Sequence, residues 1–178
     1  MLIHTLNDSL SLHFLKQEDA GALLTLCQAE GSSLSAWLPW VAELNSLEAC
    51  ERYIQEAQLQ FAQQRALLLG VCWQGQLVGL AGFNGLVRSL GRGRIGYWLA
   101  TPYRGRGIMT MVVTYLIRQG LEEMGLQRLE VHTHCDNEPS RALCERLGLV
   151  LHSSREPGLV CYRAEAGRWR APDLPPAR

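Results

Sequence analysis

The feature that most restricts the fold is a strand pattern that leads into a helix pattern through a turn with two closely spaced glycines. Residues 94–100 carry the short apolar run of a strand, and residues 108–124 form an apolar helical stretch that ends at Gly125. Gly105 and Gly107 lie in the turn between them, where glycine lets successive backbone N–H groups point into one concavity. Because the helix behind the turn begins with unpaired N–H donors and a partial positive charge, the segment predicts an anion site.

Polar side chains of the turn favour a phosphate or pyrophosphate as the anion. Arg104 and Arg106 add positive charge, and Thr110 places a hydroxyl in the first helical turn. A turn whose glycines only shape the chain between strand and helix is the alternative interpretation, and a Gly-x-Gly turn alone does not exclude it. The turn does not match the Walker pattern, because no Gly-Lys-Ser/Thr follows. It does not match the dinucleotide fingerprint either, because a third glycine and a ribose-binding acid are missing.

Strand and helix patterns mix along the whole chain and place the protein in the α/β (α+β) class. Their order is β-α-α-β-β-β-α-β-α-β-β, which predicts a single domain built on a mixed, mostly antiparallel central sheet flanked by helices. The Gln74-Gly75 pair between two apolar runs predicts a β-hairpin. The domain is expected to cover residues 1–165, followed by a disordered tail at 166–178. Strands are predicted at 10–15, 66–73, 76–83, 94–100, 129–134, 149–152 and 159–163, and helices at 20–30, 46–65, 108–124 and 139–147.

Composition and charge argue against several classes of partner. The 178 residues carry 17 basic and 17 acidic side chains, so a nucleic-acid binder that works by neutralising phosphates is not expected. The apolar runs fall short of the roughly 20 residues that span a bilayer, and no basic-plus-apolar leader is present, so no membrane partner is expected. The six cysteines lack zinc-site spacing and are expected to be reduced thiols of a cytoplasmic protein.

Two strings of residues link the turn to a known family. The strand reads Ile-Gly-Tyr-Trp-Leu at residues 95–99, and the turn ends Gly-Ile-Met-Thr at residues 107–110. Together with Arg104-Gly105-Arg106, this segment resembles motif A of the GCN5-related N-acetyltransferases (GNAT). Met109 departs from the small residue usual in the family, and this departure is typical of the RimJ/RimL-type ribosomal-protein N-acetyltransferases. Segments at 37–40, 77–84 and 136–149 are similar to further parts of that branch, so the resemblance extends from about residue 10 to residue 151.

The resemblance implies acetyl-CoA as the cosubstrate and assigns its contacts by position. In the family, backbone groups of the strand before the turn pair with the pantetheine arm and the acetyl carbonyl, and backbone N–H groups of the turn bind the pyrophosphate. Asn137 matches a position that hydrogen-bonds the cofactor arm, and its side chain can equally cap the helix that starts near Pro139. The implied contacts are Trp98, Leu99 and Ala100 on the strand, and Arg104, Gly105, Arg106, Gly107, Ile108, Met109 and Thr110 in the turn.

Two side chains are candidates for proton transfer. Ser140 matches a serine of the branch that is placed to protonate the leaving thiolate, with hydrogen bonding at a helix N-terminus as the alternative role. His132 matches a position where some family members place a catalytic Glu, and a neutral imidazole can accept the amine proton near pH 7. Because Glu130, His132 and His134 share one strand face, a solvent-facing polar stripe and a two-His metal site remain alternatives. No metal is expected, since the family needs none and no third ligand is apparent.

The acceptor is the least determined part of the site. The resemblance implies a primary amine, and the branch favours the N-terminal α-amine of a protein. A small amine, such as a polyamine, an amino acid or an aminoglycoside, is the alternative, with Glu48, Glu51 and Glu56 as either an acidic groove or a solvated helix face. Residues 153–158 make a shorter connection than is usual in the branch and leave Glu156 as the acidic candidate there. A non-catalytic acyl-CoA-binding module on the same fold, and a homodimer, also stay open.

Overall fold

The structure is a computed structural model and describes residues 3–173. Within them, eight strands form one sheet in the order β1-β2-β3-β4-β5-β6-β8-β7, with four α-helices packed on its two faces. In this part of the chain no helix has the length and apolar character needed to cross a membrane. The strands are β1 (Ile3–Thr5), β2 (Leu10–Phe14), β3 (Leu67–Trp73), β4 (Gln76–Val87), β5 (Arg92–Leu99), β6 (Arg128–His134), β7 (Val150–Ser153) and β8 (Leu159–Glu165). The helices are α1 (Ala20–Ser35), α2 (Leu47–Ala62), α3 (Ile108–Arg118) and α4 (Glu138–Arg146).

Local sequence signals set several of these boundaries. Ser46 precedes α2, and its hydroxyl accepts a hydrogen bond from the Ala49 N–H at 3.2 Å, as expected of a helix N-cap. Gln74 and Gly75 connect β3 to β4 with φ values of 50° and 80°, the pair of positive φ angles that a two-residue hairpin turn requires. The predicted hairpin and the predicted start of the second helix are therefore confirmed.

The sheet opens between β5 and β6, the two neighbouring strands that run parallel to each other. The two strands pair only over Arg92–Arg94 and Arg128–Glu130. Beyond these residues β5 continues to Leu99 and β6 to His134 without pairing to each other, while each remains paired with its antiparallel neighbour. The result is a wedge at the carboxyl ends of two parallel strands, which is where open mixed sheets bind ligands.

Two apolar cores hold the helices on opposite faces of the sheet. α3 and α4 lie on one face, around buried residues such as Val112. α1 and α2 lie on the other face, around Leu23 and Ile54. Since successive strand side chains point to opposite faces, Tyr97 packs against the first core and Trp98 belongs to the second.

The N-terminus adds a strand that the sequence patterns do not predict. β1 pairs antiparallel with β2, and His4 lies opposite Leu12. An edge strand of three residues is too short to show a clear alternation of apolar and polar positions, so no strand is predicted there. The rest of the predicted element order, and the mixed, mostly antiparallel sheet flanked by helices, are confirmed.

Two helices depart from their predicted ends. α1 continues to Ser35 through a kink at Gly31, whose φ of 49° and ψ of −130° are not helical. Gly31 therefore breaks the helix as predicted, but the chain resumes helical turns after it. The apolar stretch predicted as one helix is α3 as far as Arg118 and then a π-helical turn over Gln119–Glu123. Periodicity does not separate these two forms, because both keep their apolar side chains toward the sheet.

The chain stays packed beyond the predicted domain end at residue 165. Trp169 is 8% exposed, and its indole Nε1 donates to the Leu147 carbonyl at 2.9 Å. The predicted disordered tail therefore begins too early, and the domain extends past Trp169. Residues 174–178 of that tail lie outside the described residues. A single buried aromatic side chain after a turn carries no periodic signal, which is why the sequence did not reveal it.

Candidate active site

A cavity of about 830 Å³ fills the wedge between β5 and β6 and reaches the turn before α3 and the start of α4. We call it the cleft. The residues predicted for cofactor binding and proton transfer all line it except Ala100. Those that the structure brings together are Trp98, Leu99, Arg104, Gly105, Arg106, Gly107, Ile108, Met109, Thr110, His132, Asn137 and Ser140.

The open edge of β5 presents alternate backbone groups to the cleft. The Ala100 N–H donates to a β4 carbonyl at 2.8 Å, so its backbone faces the paired side of the strand. The Trp98 backbone faces β4 as well. Its carbonyl oxygen lies so close to Gly79 of β4 that a Cβ atom added at Gly79 would collide with it. Because backbone groups alternate in direction along a strand, those of Tyr97 and Leu99 face the cleft. The backbone groups of Trp98 and Ala100, where contacts were predicted, therefore face β4, whereas those of Tyr97, which the prediction omitted, face the cleft.

The turn before α3 has the backbone geometry of an anion site. Gly105 and Gly107 have φ values of 73° and 80°, which non-glycine residues rarely adopt. The Met111 N–H bonds back to the Gly107 carbonyl at 3.1 Å and closes the first helical turn. The N–H groups of residues 108–110 precede this bond, so they have no acceptor within α3 and lie at its positive end. The predicted concavity of N–H donors is therefore present.

A buried carboxylate that the sequence did not reveal holds Arg104. The Arg104 Nη2 atom lies 3.3 Å from Glu30 Oε2, and its Nε donates to the Leu99 carbonyl at 2.9 Å. Glu30 also accepts from the Thr101 N–H at 2.7 Å and from Thr101 Oγ1 at 2.9 Å. The Glu30 side chain is 3% exposed, so Arg104 and these donors compensate a charge that water does not reach. No spacing or periodicity connects residue 30 with residue 104, which is why sequence reasoning missed the pair.

Two further arginines line the cleft. The Arg106 guanidinium carbon lies 5.7 Å from the centroid of the Tyr103 ring. Arg146, in the last turn of α4, donates from Nη2 to Thr110 Oγ1 at 3.4 Å. Arg146 lies outside the motif that selected the other cofactor residues, and the structure adds it to the site.

Ser140 belongs to a set of hydrogen-bonded side chains on the α4 side of the cleft. Its Oγ lies 2.9 Å from the Tyr97 hydroxyl oxygen, which is also 3.7 Å from Cys144 Sγ. The Ser140 N–H donates to Asn137 Oδ1 at 3.3 Å, so Asn137 caps α4 while it also lines the cleft. Burial raises the pKa of Tyr97 well above its ordinary value, and its hydroxyl therefore keeps its proton.

His132 lies on β6 with a carboxylate beside it. Its Nε2 is 2.9 Å from Glu130 Oε2, and Arg163 Nε donates to Glu130 Oε1 at 2.9 Å. Burial raises the pKa of Glu130, but the hydrogen bond with His132 and the charge of Arg163 together outweigh burial, so this pKa lies below its ordinary value. Glu130 is thus a carboxylate that accepts the Nε2 proton. The His132 Nδ1 atom is buried and has no hydrogen-bond partner among the described residues, so this tautomer leaves its lone pair unused.

The two proton-transfer candidates lie on opposite faces of the sheet. Val131 points into the core of α3 and α4, so His132 points to the other face, toward α1 and α2. Ser140 is on α4 and bonds to Tyr97, which packs against the first core. Both candidates nevertheless line the same cleft, because the cleft passes through the gap where the sheet opens.

A third potential metal ligand lies next to His132, although none was apparent in the sequence. The ligand atoms of Glu130, His132 and Cys161 lie within 4.8 Å of one another, because Cys161 on β8 is the register partner of His132. Both Glu130 oxygens are engaged, however, and Arg163 brings positive charge to the same place. Burial also raises the pKa of the Cys161 thiol, which disfavours the thiolate that a metal would need. The arrangement is that of an ion-pair network.

A smaller cavity of about 280 Å³ adjoins the cleft on the α2 side of the sheet. We call it the side cavity. Leu38, Tyr97 and Trp98 line both cavities and form their common wall. The rings of Trp40 and Tyr53 line the side cavity and stack with an interplanar angle of 14° and a centroid separation of 5.3 Å.

The predicted acidic candidates differ in where they lie. Of the three glutamates on α2, Glu56 lines the side cavity, and Glu48 pairs instead with Arg52 at 2.7 Å. Glu51 lines neither cavity. Glu156, in the short connection between β7 and β8, lies 3.9 Å from Arg94 and lines neither cavity. Of these four predicted candidates, Glu56 alone lines a cavity.

The wedge, the N–H turn and the two proton-transfer candidates point to a class of protein, and comparison with known proteins identifies it. The model of the family described as Acetyltransferase (GNAT) domain matches residues 9–150. This match covers well over half of the chain, so the chain belongs to the GNAT acetyltransferases. It is an N-acetyltransferase with acetyl-CoA as its cosubstrate.

Several relatives share most of their length with this chain. YdaF of Bacillus subtilis, whose description is that of a ribosomal N-acetyltransferase, is 29% identical over 86% of this chain and 84% of its own. The ribosomal-protein-serine acetyltransferase of Escherichia coli is 24% identical over 82% of this chain and 81% of its own. A solved structure of RimL, a ribosomal L7/L12 α-N-protein acetyltransferase, in complex with coenzyme A has the same fold, with a TM-score of 0.86 and 21% identity over 93% of this chain and 98% of RimL.

Proposed function

We propose that the protein transfers the acetyl group of acetyl-CoA to the N-terminal α-amine of a protein, with ribosomal proteins as the acceptor class. The two bacterial relatives described as ribosomal acetyltransferases support this acceptor. One geometric observation carries the reaction: Ser140 and His132 come from opposite faces of the sheet and line one cleft. The six cysteines are free thiols, which suits an acceptor in the reducing cytoplasm.

The acetyl transfer forms a C–N bond and breaks a C–S bond. The amine nitrogen attacks the thioester carbonyl carbon, and the electron pair of the C–S bond leaves with sulfur as the CoA thiolate. The backbone N–H groups of Tyr97 and Leu99 both face the cleft, and because they lie two residues apart along the strand, one of them is proposed to bind the carbonyl oxygen, on which negative charge develops. The Ser140 hydroxyl gives its proton to the thiolate and is reprotonated from solvent through the Tyr97 hydroxyl, 2.9 Å away.

His132 is the proposed base for the amine proton. Glu130 accepts from its Nε2 and thereby favours the tautomer in which Nδ1 carries a lone pair. His132 lines the cleft, and its buried, unpartnered Nδ1 is the proposed acceptor of the proton of the attacking amine, which the imidazolium loses after the transfer. Glu130 stabilises the imidazolium that forms in between.

The side cavity is the proposed position of the first acceptor residue. It shares Leu38, Tyr97 and Trp98 with the cleft, so an amine held there lies next to the wedge proposed for the thioester. At about 280 Å³ it has room for the end of one chain and not for the surface of a folded domain. A protein N-terminus fits this restriction, because chain ends are exposed and free to enter a narrow space.

A small cationic amine is the second candidate acceptor. Glu56 lines the side cavity, and the faces of Trp40 and Tyr53 can receive a cation. No basic residue lines this cavity within the described part of the chain. A polyamine would therefore find a carboxylate and aromatic rings at the place proposed for the protein N-terminus.

An acceptor panel separates these functions. Purified protein is incubated with acetyl-CoA and with peptides that begin with Ser or Ala, spermidine, free amino acids or an aminoglycoside, and release of CoA thiol is followed. We expect turnover with the peptides that exceeds turnover with the small amines. Turnover confined to spermidine or the aminoglycoside would replace the proposed acceptor, and tight acetyl-CoA binding without turnover on any amine would make the protein a binding module.

A further inference from the structure

The cleft carries more positive charge than the protein as a whole. Among the described residues its lining contains three arginines and no carboxylate, whereas the complete sequence has 17 basic and 17 acidic side chains. A ligand with several negative charges is therefore favoured in the cleft, and the phosphates of CoA supply such charges. The three arginines are not equivalent, however, because their partners within the protein differ.

Arg104 has no free charge to offer a phosphate. Glu30 compensates its guanidinium at 3.3 Å, and a second bond ties its Nε to the Leu99 carbonyl at 2.9 Å. Moving Arg104 toward a ligand would leave the Glu30 carboxylate, with its side chain 3% exposed, without its cation. Leaving a buried charge unpaired is strongly unfavourable, so Arg104 is held as part of the protein framework.

Arg146 is in the opposite situation. Its contact in the cleft is a hydrogen bond to the neutral Thr110 hydroxyl at 3.4 Å. It has no carboxylate partner within 4.0 Å in the part of the chain that the structure describes. Thr110 lies in the first turn of α3, beside the N–H groups of the anion site. A guanidinium at this place adds a full charge next to the partial charge of the helix end.

The contact with Arg146 also sets the direction of the Thr110 hydroxyl. Arginine can only donate, so Thr110 Oγ1 accepts from Arg146 and keeps its own hydrogen for another acceptor. Thr110 lines the cleft although it is 6% exposed, and phosphate oxygens are acceptors only. We infer that Arg146 and Thr110 together bind the pyrophosphate of acetyl-CoA, and that Arg104, which lies within the motif, positions the turn and β5 instead.

Three thioesters that differ in their phosphates test this assignment by binding alone. Acetyl-CoA carries the pyrophosphate and the 3′-phosphate, 3′-dephospho-acetyl-CoA lacks the 3′-phosphate, and S-acetylpantetheine carries no phosphate. Calorimetry gives the Kd of each for the wild type and for Arg146→Met, which keeps an unbranched apolar stem. We expect Arg146→Met to raise the Kd of both phosphate-containing thioesters by roughly 10- to 100-fold and to leave S-acetylpantetheine within about twofold.

Two control variants separate charge from structure. Arg118→Met removes one positive charge from an exposed position at the other end of α3 and should leave all three Kd values unchanged. Arg104→Met should weaken all three thioesters by a similar factor and lower the melting temperature, because Glu30 loses its cation while the phosphates lose no contact.

Three outcomes would overturn the assignment. An equal loss for all three thioesters in Arg146→Met would mean that Arg146 acts through the packing of α4. A loss confined to acetyl-CoA would move Arg146 to the 3′-phosphate, and a phosphate-selective loss in Arg104→Met would restore the motif arginine as the ligand. Absence of acetyl-CoA binding by the wild type would instead contradict the cosubstrate itself. The binding assay needs no acceptor, so it does not depend on the proposed protein N-terminus.

Discussion

At the scale of single residues, each proton-transfer candidate has a hydrogen-bonded partner that fixes its orientation. The Tyr97 hydroxyl lies 2.9 Å from Ser140 Oγ, and Glu130 Oε2 lies 2.9 Å from His132 Nε2. Groups that are oriented before the substrate binds need less reorganisation during the reaction. The two pairs are on opposite faces of the sheet, so a change in one should leave the geometry of the other intact.

Replacing Ser140 with alanine removes the proposed proton donor for the thiolate. We expect kcat to fall by roughly 100- to 10,000-fold, because general acid catalysis contributes about this much. The KM for acetyl-CoA should change little, since this proton moves only as the C–S bond breaks. Tyr97→Phe keeps the buried ring and should lower kcat less. A kcat of Ser140→Ala equal to that of the wild type would remove Ser140 from the mechanism.

Glu130 makes the stability of the protein depend on acidic pH. Its pKa in the folded state lies below the ordinary value of 4.5, since its partners favour the carboxylate. The stability it contributes is therefore complete above the unfolded pKa and is lost as the pH falls through the folded pKa. We expect the free energy of unfolding in urea to fall more steeply between about pH 5 and pH 3 for the wild type than for Glu130→Gln. Parallel curves for the two proteins would show that the contacts of Glu130 with His132 and Arg163 do not stabilise the folded state.

At the scale of elements, the cleft exists because β5 stays paired with β4 and β6 stays paired with β8, while β5 and β6 separate from each other. β4 pairs with β5 as far as Leu99, and β8 pairs with β6 as far as His134. β5 and β6 themselves pair over only three residues each, ending at Arg94 and Glu130. The twist of each half therefore separates the two strands beyond that point and exposes one edge of β5.

Gly107→Trp tests the position of the turn at the mouth of the cleft. The φ of Gly107 is 80°, and an indole there would fill the concavity of N–H groups. We expect acetyl-CoA binding to be lost in a variant that keeps its circular dichroism spectrum. Gly148→Ala is the matched control, because Gly148 has a φ of 73° and open space around it, away from the cleft. The control should lose about 1–2 kcal/mol of stability and keep its affinity for acetyl-CoA.

The parts of the site that could be predicted are those that lie close together in the sequence. The turn with Gly105 and Gly107 is one contiguous segment, and Ser140 follows Asn137 within one helical turn. Glu30 could not be predicted, because its contact with Arg104 joins residues that are 74 positions apart. The direction of the backbone at Ala100 was also out of reach, since it depends on the register with β4 and not on the local pattern.

At the scale of the whole molecule, the sheet separates two apolar cores, and the cleft is lined by residues of both. The C-terminal segment stabilises one of them, because Trp169 reaches back over the end of α4. It donates to the Leu147 carbonyl, one residue after Arg146, and so supports the end of the helix that carries Arg146. Trp169 therefore belongs to the folded unit.

Trp169→Ala measures how much this segment contributes. The indole is 8% exposed, so we expect the free energy of unfolding to fall by about 3–5 kcal/mol, as for other large buried aromatic residues. Trp169→Phe fills most of the space but leaves the Leu147 carbonyl without its donor, and should cost less. Urea titrations of both variants, with the exposed Arg170→Ala as the control, give these values. A loss below about 0.5 kcal/mol in Trp169→Ala would show that the segment does not stabilise the domain.

The most direct test of the proposed function is to locate the acetyl group on an acceptor that offers two different amines. A peptide with a free N-terminal serine and one internal lysine is incubated with acetyl-CoA and the purified protein, and fragment masses assign the modified amine. An N-terminally blocked copy of the same peptide serves as the control. We predict that the acetyl group appears on the α-amine of the free peptide and that the blocked copy is not modified. Acetylation of the lysine in both peptides, with a free α-amine left unmodified, would contradict the proposed acceptor.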